Sequence, residues 1–296
     1  MLPASATALL TGVVDYAGLF PPAALSMAAA VAEFQTARGG PDRWMLGRFV
    51  VPAARLPELE GAITTQVTAP QDIWPVSAIV RDSSDADLEA IATFNAAGAR
   101  HFARVDAVEA RPLTLDGIDW LATHVGDGID TYVEMAPGPD VDTWLERVAT
   151  AGLRAKVRTG GVTVEAFPSP SLLTAFLSAA VRHGVAFKAT AGLHHAVRGH
   201  YRLTYERGAA AAPMYGYLNV LLATAALRMG HPPGDVETLL QANDATALVF
   251  GDDDVRWGDE IFPLSQLRDT RVHHLVSFGS CSFREPADDI GALLSR

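Results

Sequence analysis

The strongest constraint on the fold is an alternation of short β-rich runs with helical segments along the chain. The β-rich runs are residues 12–16, 47–52, 75–81, 101–106, 131–135, 153–159, 185–191 and 274–279. Segments with helical periodicity lie between them, at residues 26–36, 85–96, 140–149, 171–183 and 217–229. Alternating strands and helices indicate βα units around a parallel sheet. We therefore predict a (β/α)8 barrel of the TIM type, with residues 1–296 forming a single domain.

Glycine marks three of the predicted boundaries between a helix and the next strand. Gly98, Gly152 and Gly184 each follow a helical segment and precede a β-rich run. Glycine readily adopts the left-handed backbone conformation that ends many helices. Two longer segments interrupt the alternation: residues 194–213 are predicted to form a lid, and the acidic residues 250–262 a solvated insertion.

Charge and composition argue against several classes of partner. The net charge is −11 and no run of basic residues interrupts it, so we expect no nucleic-acid partner. The longest apolar run, residues 220–227, is too short to span a bilayer, and the chain does not open on a signal-like segment. We expect no membrane partner and a cytoplasmic location. The single cysteine, Cys281, cannot form an internal disulfide, which agrees with a reducing compartment. The oligomeric state stays open, homo-oligomers included.

Lysine is rare among the basic residues. The chain has 23 lysines and arginines, and only Lys156 and Lys188 are lysines. A genome bias towards arginine codons would replace lysine except where an amine must lose its proton. A guanidinium effectively cannot lose its proton. Both lysines lie near the ends of consecutive predicted strands, and the carboxyl ends of barrel strands form the active-site face. We therefore expect these two side chains to carry the chemistry.

Strand periodicity brings the lysines and their neighbours together. Alternation puts Arg158 on the face of Lys156, and Thr190 on the face of Lys188. Neighbouring strands are about 4.8 Å apart, so the two inward amines would meet. A second cation lowers the pKa of an amine and keeps it neutral and nucleophilic. The pattern predicts an imine between a lysine and a carbonyl substrate, with no cofactor.

A family resemblance lies in the segments around the two lysines. The segment KVRTGG from Lys156 and the segment KATAG from Lys188 resemble the paired-lysine strands of class I aldolases of the deoxyribose-phosphate aldolase type. The resemblance implies that one lysine carries the imine while the other tunes it. It favours Lys156 as the nucleophile and leaves Lys188 as the alternative. Arg158 stands where that family has a small residue, so the substrate is left open.

A second resemblance extends over more of the chain. The chain is similar to a bacterial barrel-like family through three words, which are DYAGLFPPA from Asp15, FKATAGLHH from Phe187 and SFGSCSF from Ser277. This resemblance implies no particular activity.

Further candidate site residues lie at the ends of predicted strands. Glu134 and His195 are candidate proton-transfer groups, because carboxylates and imidazoles can exchange protons with a substrate. Asp106 ends another predicted strand, where it would face the site or cap a helix. A guanidinium, backbone amides of glycine-rich turns and hydroxyls would bind an anion. The expected substrate-binding residues are Asp15, Tyr16, Arg158, Thr159, Gly160, Gly161, Thr190, His194, Ser277, Gly279 and Ser280.

These patterns together predict a Schiff-base-forming lyase, similar to class I aldolases, that acts on a small anionic carbonyl compound. Two alternatives stay open. One is a non-catalytic barrel that binds a small anion through the two lysines and Arg158. The other is a barrel enzyme that uses zinc or manganese. Its metal ligands would be drawn from His194, His195, His273, His274, Asp15 and Glu134.

Overall fold

Eight parallel strands close into a barrel, as the alternation of strands and helices predicts. The computed structural model describes residues 2–67, 72–97 and 102–296. The strands follow one another around the barrel in chain order, and the last strand pairs with the first. The barrel strands are β1 (Val14–Tyr16), β2 (Leu46–Pro52), β3 (Trp74–Val80), β4 (Ala103–Ala110), β5 (Asp130–Met135), β6 (Arg154–Arg158), β7 (Phe187–Thr190) and β13 (Leu275–Ser280).

Helices connect the barrel strands, and local sequence signals define several of their ends. Ser26, Ser84 and Ser169 each cap a helix by accepting a hydrogen bond from a backbone N–H of its first turn. Gly152 and Gly184 are left-handed as predicted, with φ of 67° and 65°, whereas Gly98 lies outside the described residues. The helices are α1 (Ala4–Leu10), α2 (Met27–Gly39), α3 (Leu56–Gln66), α4 (Asp85–Ala96), α5 (Leu115–His124), α6 (Val141–Thr150), α7 (Pro170–His183), α8 (Tyr217–Arg228), α9 (Pro233–Gln241), α10 (Leu264–His273) and α11 (Arg284–Leu294).

One hydrophobic core joins the two ends of the chain. The same cluster of buried side chains contains Leu9 of α1 and Ile290 of α11. The segment Val164–His183, which includes α7, is long and apolar enough to span a membrane by length and composition alone. In the fold, however, Leu173, Phe176 and Leu177 of this segment are buried. The ring of Phe176 lies 5.3 Å from that of Phe187 in β7, so the helix uses its apolar residues to pack on the barrel.

Two segments between β7 and β13 depart from the alternation. Part of the predicted lid forms a hairpin, with β8 (Gly199–Arg202) antiparallel to β9 (Ala211–Met214). Residues 248–263 form an antiparallel sheet of β10 (Leu248–Phe250), β11 (Asp254–Trp257) and β12 (Glu260–Pro263). Val255, Trp257 and Phe262 of this sheet are buried in the main core. The expectation of a solvated insertion is therefore wrong, because apolar residues between the acidic ones anchor the sheet.

The fourth barrel strand runs beyond its predicted end. The β-rich run 101–106 begins at the edge of the described residues, whereas β4 continues to Ala110. A register irregularity lies between the two pairs Val76–Val105 and Ser77–Ala107, so Asp106 has no partner in β3. Asp106 thus does not end the strand, and its carboxylate pairs with Arg48 of β2 at 2.8 Å. The prediction that Asp106 faces the site or caps a helix is corrected to an ion pair within the barrel.

Candidate active site

Strand register places four polar side chains in one row inside the barrel. Glu134 of β5 is in register with Lys156 of β6, and Lys156 with Lys188 of β7. Lys188 is in turn in register with Ser277 of β13. Residues in register on adjacent strands point to the same face of a sheet. The prediction that the two lysines lie side by side on consecutive strands is confirmed. Lys156 is the middle residue of β6 and Lys188 the second residue of β7, so neither ends its strand.

The two lysines belong to a buried series of alternating charges. Lys188 Nζ lies 2.5 Å from Asp15 Oδ2 and 2.6 Å from Glu109 Oε1. Lys156 Nζ lies 2.6 Å from Glu109 Oε2 and 2.8 Å from Glu134 Oε2. We call these five residues, in the order Asp15, Lys188, Glu109, Lys156 and Glu134, the ion chain. Glu109 lies at its centre and binds both amines.

Hydroxyl and amide donors from other strands hold the carboxylates in place. Ser77 Oγ donates a hydrogen bond of 2.7 Å to Glu109 Oε1, and Ser277 Oγ donates one of 2.9 Å to Asp15 Oδ2. The backbone N–H of Arg48 donates to Asp15 Oδ1 at 2.9 Å. Buried charges are stabilised only when their remaining donors and acceptors are satisfied in this way. Ser277 therefore positions Asp15 and is not free to bind substrate, contrary to its predicted role.

Burial and ion pairing act in opposite directions on these groups. Burial disfavours the charged form, but Asp15 and Glu109 outweigh it and raise the pKa of Lys188 above its usual value. Burial likewise opposes ionisation of Glu109, but Lys156 and Lys188 hold the pKa of its carboxyl well below the usual range. The expectation that a second cation lowers the lysine pKa is therefore wrong for Lys188, because Glu109 lies between the two amines.

A cavity of about 410 Å³ opens at the carboxyl ends of the barrel strands, with both lysines in its wall. The side chains of Phe20, Val50 and Ile79 give it an apolar part, and Glu109 and Arg111 contribute charged groups. Many of the predicted site residues line it. These are Lys156, Lys188, Glu134, Arg158, Gly161, Thr190, His194 and Gly279.

Several predicted substrate-binding residues serve the fold and do not line the cavity. Tyr16 lies between the barrel and α2, where its hydroxyl donates to Glu33 at 2.7 Å and its ring packs 5.9 Å from that of Phe34. Thr159 is fully buried and its hydroxyl donates to the carbonyl oxygen of Ala191 at 2.7 Å. Gly160 packs so closely on Phe167 that a Cβ would lie 2.4 Å from the ring. These three positions are corrected to structural ones.

His195 also lies outside the cavity wall. Its Nδ1 is 3.1 Å from Asp289 of α11, and its ring stacks on Tyr201 of β8 with a centroid distance of 3.6 Å. His194, the residue before it, lines the cavity. Adjacent residues of an extended chain point in opposite directions, so only one of the two histidines reaches the site. The histidine placed to contact a substrate is His194, whereas the sequence suggested His195 for proton transfer.

His194 is the centre of a second polar group at the edge of the cavity. Its Nδ1 lies 3.2 Å from Glu285 Oε2, 3.3 Å from Ser280 Oγ and 3.8 Å from Cys281 Sγ. Tyr205, in the turn of the β8–β9 hairpin, donates to the same Glu285 oxygen at 2.9 Å. Burial lowers the pKa of His194, but hydrogen bonding and charge interactions with Cys281 and Glu285 outweigh it and raise the pKa to about 9. His194 is therefore an imidazolium at neutral pH.

The residues of the metal alternative do not converge. His274 lies next to the amino end of β13, where its Nδ1 is 2.9 Å from Arg228. His273 ends α10, and His195 is paired with Asp289 as described above. Across residues 2–67, 72–97 and 102–296, no group of three or more His, Cys, Asp or Glu side chains is arranged to hold a metal ion.

Sequence reasoning missed Glu109, Ser77, Arg111 and the position of Cys281 beside His194. Glu109 and Arg111 follow the predicted end of the fourth strand, so extending that strand to its true end would have found both. Ser77 is a polar residue within an apolar strand, VSAIV, which is a signal for an inward hydrogen-bonding role. The sequence alone does not indicate that Cys281 lies beside His194.

Neither a scan against protein-family models nor a search of the curated proteins gives a match to this chain. The geometry of the ion chain and its cavity is therefore the basis on which a function is assigned.

Proposed function

We propose that the protein is a Schiff-base-forming lyase of the class I aldolase kind, acting on a small anionic carbonyl compound without a cofactor. The observation that carries this proposal is the pair of lysine amines bound to one carboxylate, Glu109, in the wall of a cavity. The cavity lies at the carboxyl ends of the barrel strands, where barrel enzymes have their active sites. A fold of this kind hosts many activities, so the chemistry of the site has to support the assignment.

Lys156 is the nucleophile in this proposal and Lys188 remains a cation. Lys188 is held by Asp15 and Glu109, and both raise its pKa. Lys156 is bound instead by Glu109 and by Glu134, whose side chain is 13% exposed and lines the cavity. Glu109 contacts two ammonium groups and stays ionised, whereas Glu134 contacts one. Glu134 is therefore the carboxylate suited to accept a proton from Lys156.

The imine forms with a balanced transfer of protons. Glu134 takes a proton from the Lys156 ammonium, and the neutral amine attacks the carbonyl carbon to form the C–N bond. Glu134 then carries that proton and a second one from nitrogen to the former carbonyl oxygen, which leaves as water. One proton stays on nitrogen, so the product is a protonated imine. The substrate loses one oxygen and Lys156 two hydrogens, which together make the released water.

Carbon–carbon cleavage follows from the electron demand of the protonated imine. A hydroxyl on the β-carbon gives its proton to Glu134, the bond between the α- and β-carbons breaks, and its electrons pass to the imine to form an enamine. The β-carbon leaves as an aldehyde or ketone. Glu134 returns the proton to the enamine carbon, and water releases the second carbonyl product and free Lys156. The imidazolium of His194 donates a hydrogen bond to a substrate oxygen, which stabilises negative charge as it develops.

The test is reductive trapping of the imine. The intact protein is incubated with a pool of small aldehydes, ketones and keto acids plus borohydride, and its mass is measured. Because the chain has only two lysines, the main competing amine is the α-amino group of the chain terminus, and peptide mapping separates the three positions. We expect one reduced adduct, on Lys156.

The arginine variants of the two lysines are the matched controls, since each keeps the positive charge. K156R should form no adduct, because a guanidinium is not a nucleophile, and K188R should form the adduct more slowly. Circular dichroism checks that both variants fold. An adduct on Lys188 that persists in K156R would reverse the two roles. No adduct from a broad pool would reject imine chemistry and favour the barrel that only binds an anion.

We also infer a cytoplasmic location, with a small molecule as the partner and neither nucleic acid nor membrane. The net charge of −11 supports this inference, because an acidic surface repels phosphate backbones and anionic lipids. The free thiol of Cys281, which is buried in the fold, agrees with a reducing compartment. Fractionation of cells that produce the full-length protein tests the location, and recovery with the membranes would contradict it.

A further inference from the structure

We propose that Arg111 and Arg158 form an oxyanion subsite, which selects carbonyl substrates that carry a carboxylate or phosphate away from the reacting carbon. This inference rests on the proposed function and adds the substrate's charged group and its position. Arg111 directly follows the last residue of β4, and Arg158 is the last residue of β6. The two arginines therefore lie on either side of the end of β5.

Both guanidinium groups are available to a ligand. Arg111 and Arg158 line the cavity and are exposed, and within the described residues neither guanidinium makes a hydrogen bond or an ion pair. Two other arginines of the barrel already have carboxylate partners: Arg48 pairs with Asp106, and Arg154 pairs with Asp130 at 2.8 Å. A free guanidinium presents a planar set of donors that matches carboxylate and phosphate oxygens.

The balance of charge in the cavity wall favours an anion. The carboxylates of Glu109 and Glu134 are offset by the ammonium groups of Lys156 and Lys188. The remaining charged groups of the wall are the two arginines and His194, all of them cationic. Asp15, buried behind Lys188, offsets one of these three positive charges, and Glu285, 3.2 Å from His194, offsets another, which leaves one in excess. The wall is thus cationic, although the net charge of the chain is −11. An anion is therefore attracted to this wall while most of the protein surface repels it.

The other side of the cavity offers fewer free donors. Barrels often hold phosphate in the loops after their last two strands, and the sequence suggested hydroxyls of the 277–280 segment for this task. In the structure, Ser277 donates to Asp15, and Ser280 donates to the carbonyl oxygen of Ser282 at 2.7 Å. These hydroxyls are used within the protein. The anion is therefore assigned to the arginines at the ends of β4 and β6.

The test measures anion binding and imine trapping on the intact protein. Titration calorimetry with inorganic phosphate and with propionate distinguishes the two kinds of anion without any carbonyl. We expect R111Q and R158Q each to weaken binding by about tenfold, the effect of losing one charge-assisted hydrogen-bonding partner. R268Q is the matched control, because Arg268 is an exposed arginine of α10 outside the cavity wall. It should bind as the wild type does.

Trapping with borohydride then separates this inference from the proposed function. The wild type should trap levulinate, whose carboxylate is separated from the ketone by two carbons, at a much lower concentration than the uncharged ketone 2-pentanone. The double variant R111Q/R158Q should lose that preference while still trapping 2-pentanone on Lys156. Equal trapping of both compounds by the wild type, or unchanged anion binding in both variants, would overturn the subsite and leave the imine proposal standing. Anion binding that depends on the arginines without any adduct would support the subsite and reject the imine.

Discussion

A lysine beside another lysine is expected to lose its proton, yet Glu109 reverses that expectation here. Its two carboxylate oxygens bind one amine each, at 2.6 Å. The attraction of a nearby carboxylate exceeds the repulsion of a more distant ammonium, so the pKa of Lys188 is raised. Amine chemistry at this site therefore depends on moving a proton to a carboxylate. Of the two carboxylates in the cavity wall, Glu109 binds two ammonium groups and Glu134 binds one, so Glu134 is the proposed acceptor.

His194 carries the residue-scale prediction, an unusually basic imidazole. Among the nine histidines, we expect NMR to find that His194 titrates at about pH 9, because its interactions with Cys281 and Glu285 outweigh burial. Its contribution to stability is fully present below the unfolded pKa of about 6.5. This contribution is lost as the pH rises through about 9.

Substitutions identify the titrating group and test its cause. H194Q should lose the resonance that titrates near pH 9, and H195Q should keep it. E285Q should lower the pKa of His194. Burial lowers this pKa, and the substitution removes one of the two partners that raise it. A wild-type midpoint near the ordinary value for histidine would contradict the arrangement of His194 and Glu285.

At the scale of elements, the site depends on how closely β1 and β2 approach each other. Gly47 of β2 leaves room for the Asp15 carboxylate: a Cβ at this position would lie 2.5 Å from Asp15 Oδ1 and 3.0 Å from the carbonyl oxygen of Gly12. The next residue, Arg48, donates its backbone N–H to the same Asp15 oxygen. A glycine in this strand is therefore required by the position of the buried carboxylate.

The variant G47A tests that requirement. We expect it to lower the free energy of unfolding by about 1–3 kcal/mol, the usual effect of overpacking, and to slow imine trapping because Asp15 is displaced from Lys188. The matched control is G61A in α3, where a Cβ would meet no other atom within 4 Å. A glycine-to-alanine change of that kind stabilises by about 0.4–1 kcal/mol. Urea denaturation measures both, and a G47A variant as stable as the wild type would refute the steric argument.

The element scale also shows which parts of the site could be predicted from sequence. Alternation along β6 and β7 correctly grouped Lys156 with Arg158 and Lys188 with Thr190, because the direction of a strand side chain is a local property. The fourth strand was predicted to end at Asp106, where its register shifts, so Glu109 further along the strand was not predicted.

The choice between His194 and His195 depends on a tight turn after β7. Ala191 and Gly192 are both left-handed there, with φ of 64° and 76°. Such a turn interrupts the alternation of the strand, so periodicity does not show which of the two histidines reaches the cavity. The same holds for the hydroxyls of residues 277 and 280, whose partners come from β1 and from the turn after β13.

At the scale of the whole molecule, the ion chain links strands from distant parts of the sequence. Its members come from β1, β4, β5, β6 and β7, and Glu109 alone connects three of these strands. Removing one member of a buried ion network leaves the others uncompensated, which typically costs about 3–5 kcal/mol. The closed barrel therefore depends on the network being complete, in addition to using it for the proposed chemistry.

The variant E109Q measures this contribution. We expect its free energy of unfolding at neutral pH to fall by about 3–5 kcal/mol. The control E58Q, which removes an exposed pair with Arg55, should stay within about 1 kcal/mol of the wild type.

The difference between wild type and E109Q should also depend on pH. The folded-state pKa of Glu109 is lowered, so its contribution is present above the unfolded pKa of about 4.3 and is lost as the pH falls below it. A difference in unfolding free energy that stayed constant into acid would show that lost packing, not lost charge, explains the effect.

The ion chain also restricts the routes by which this protein can evolve. Loss of Lys188 alone leaves Asp15 and one oxygen of Glu109 without the cation between them, and loss of Glu109 alone leaves two ammonium groups without the carboxylate between them. Every single substitution within the ion chain is therefore expected to give a less stable protein. We expect descendants of this sequence to keep these positions together or to replace them together, so that the residues covary as a block even where the substrate has changed.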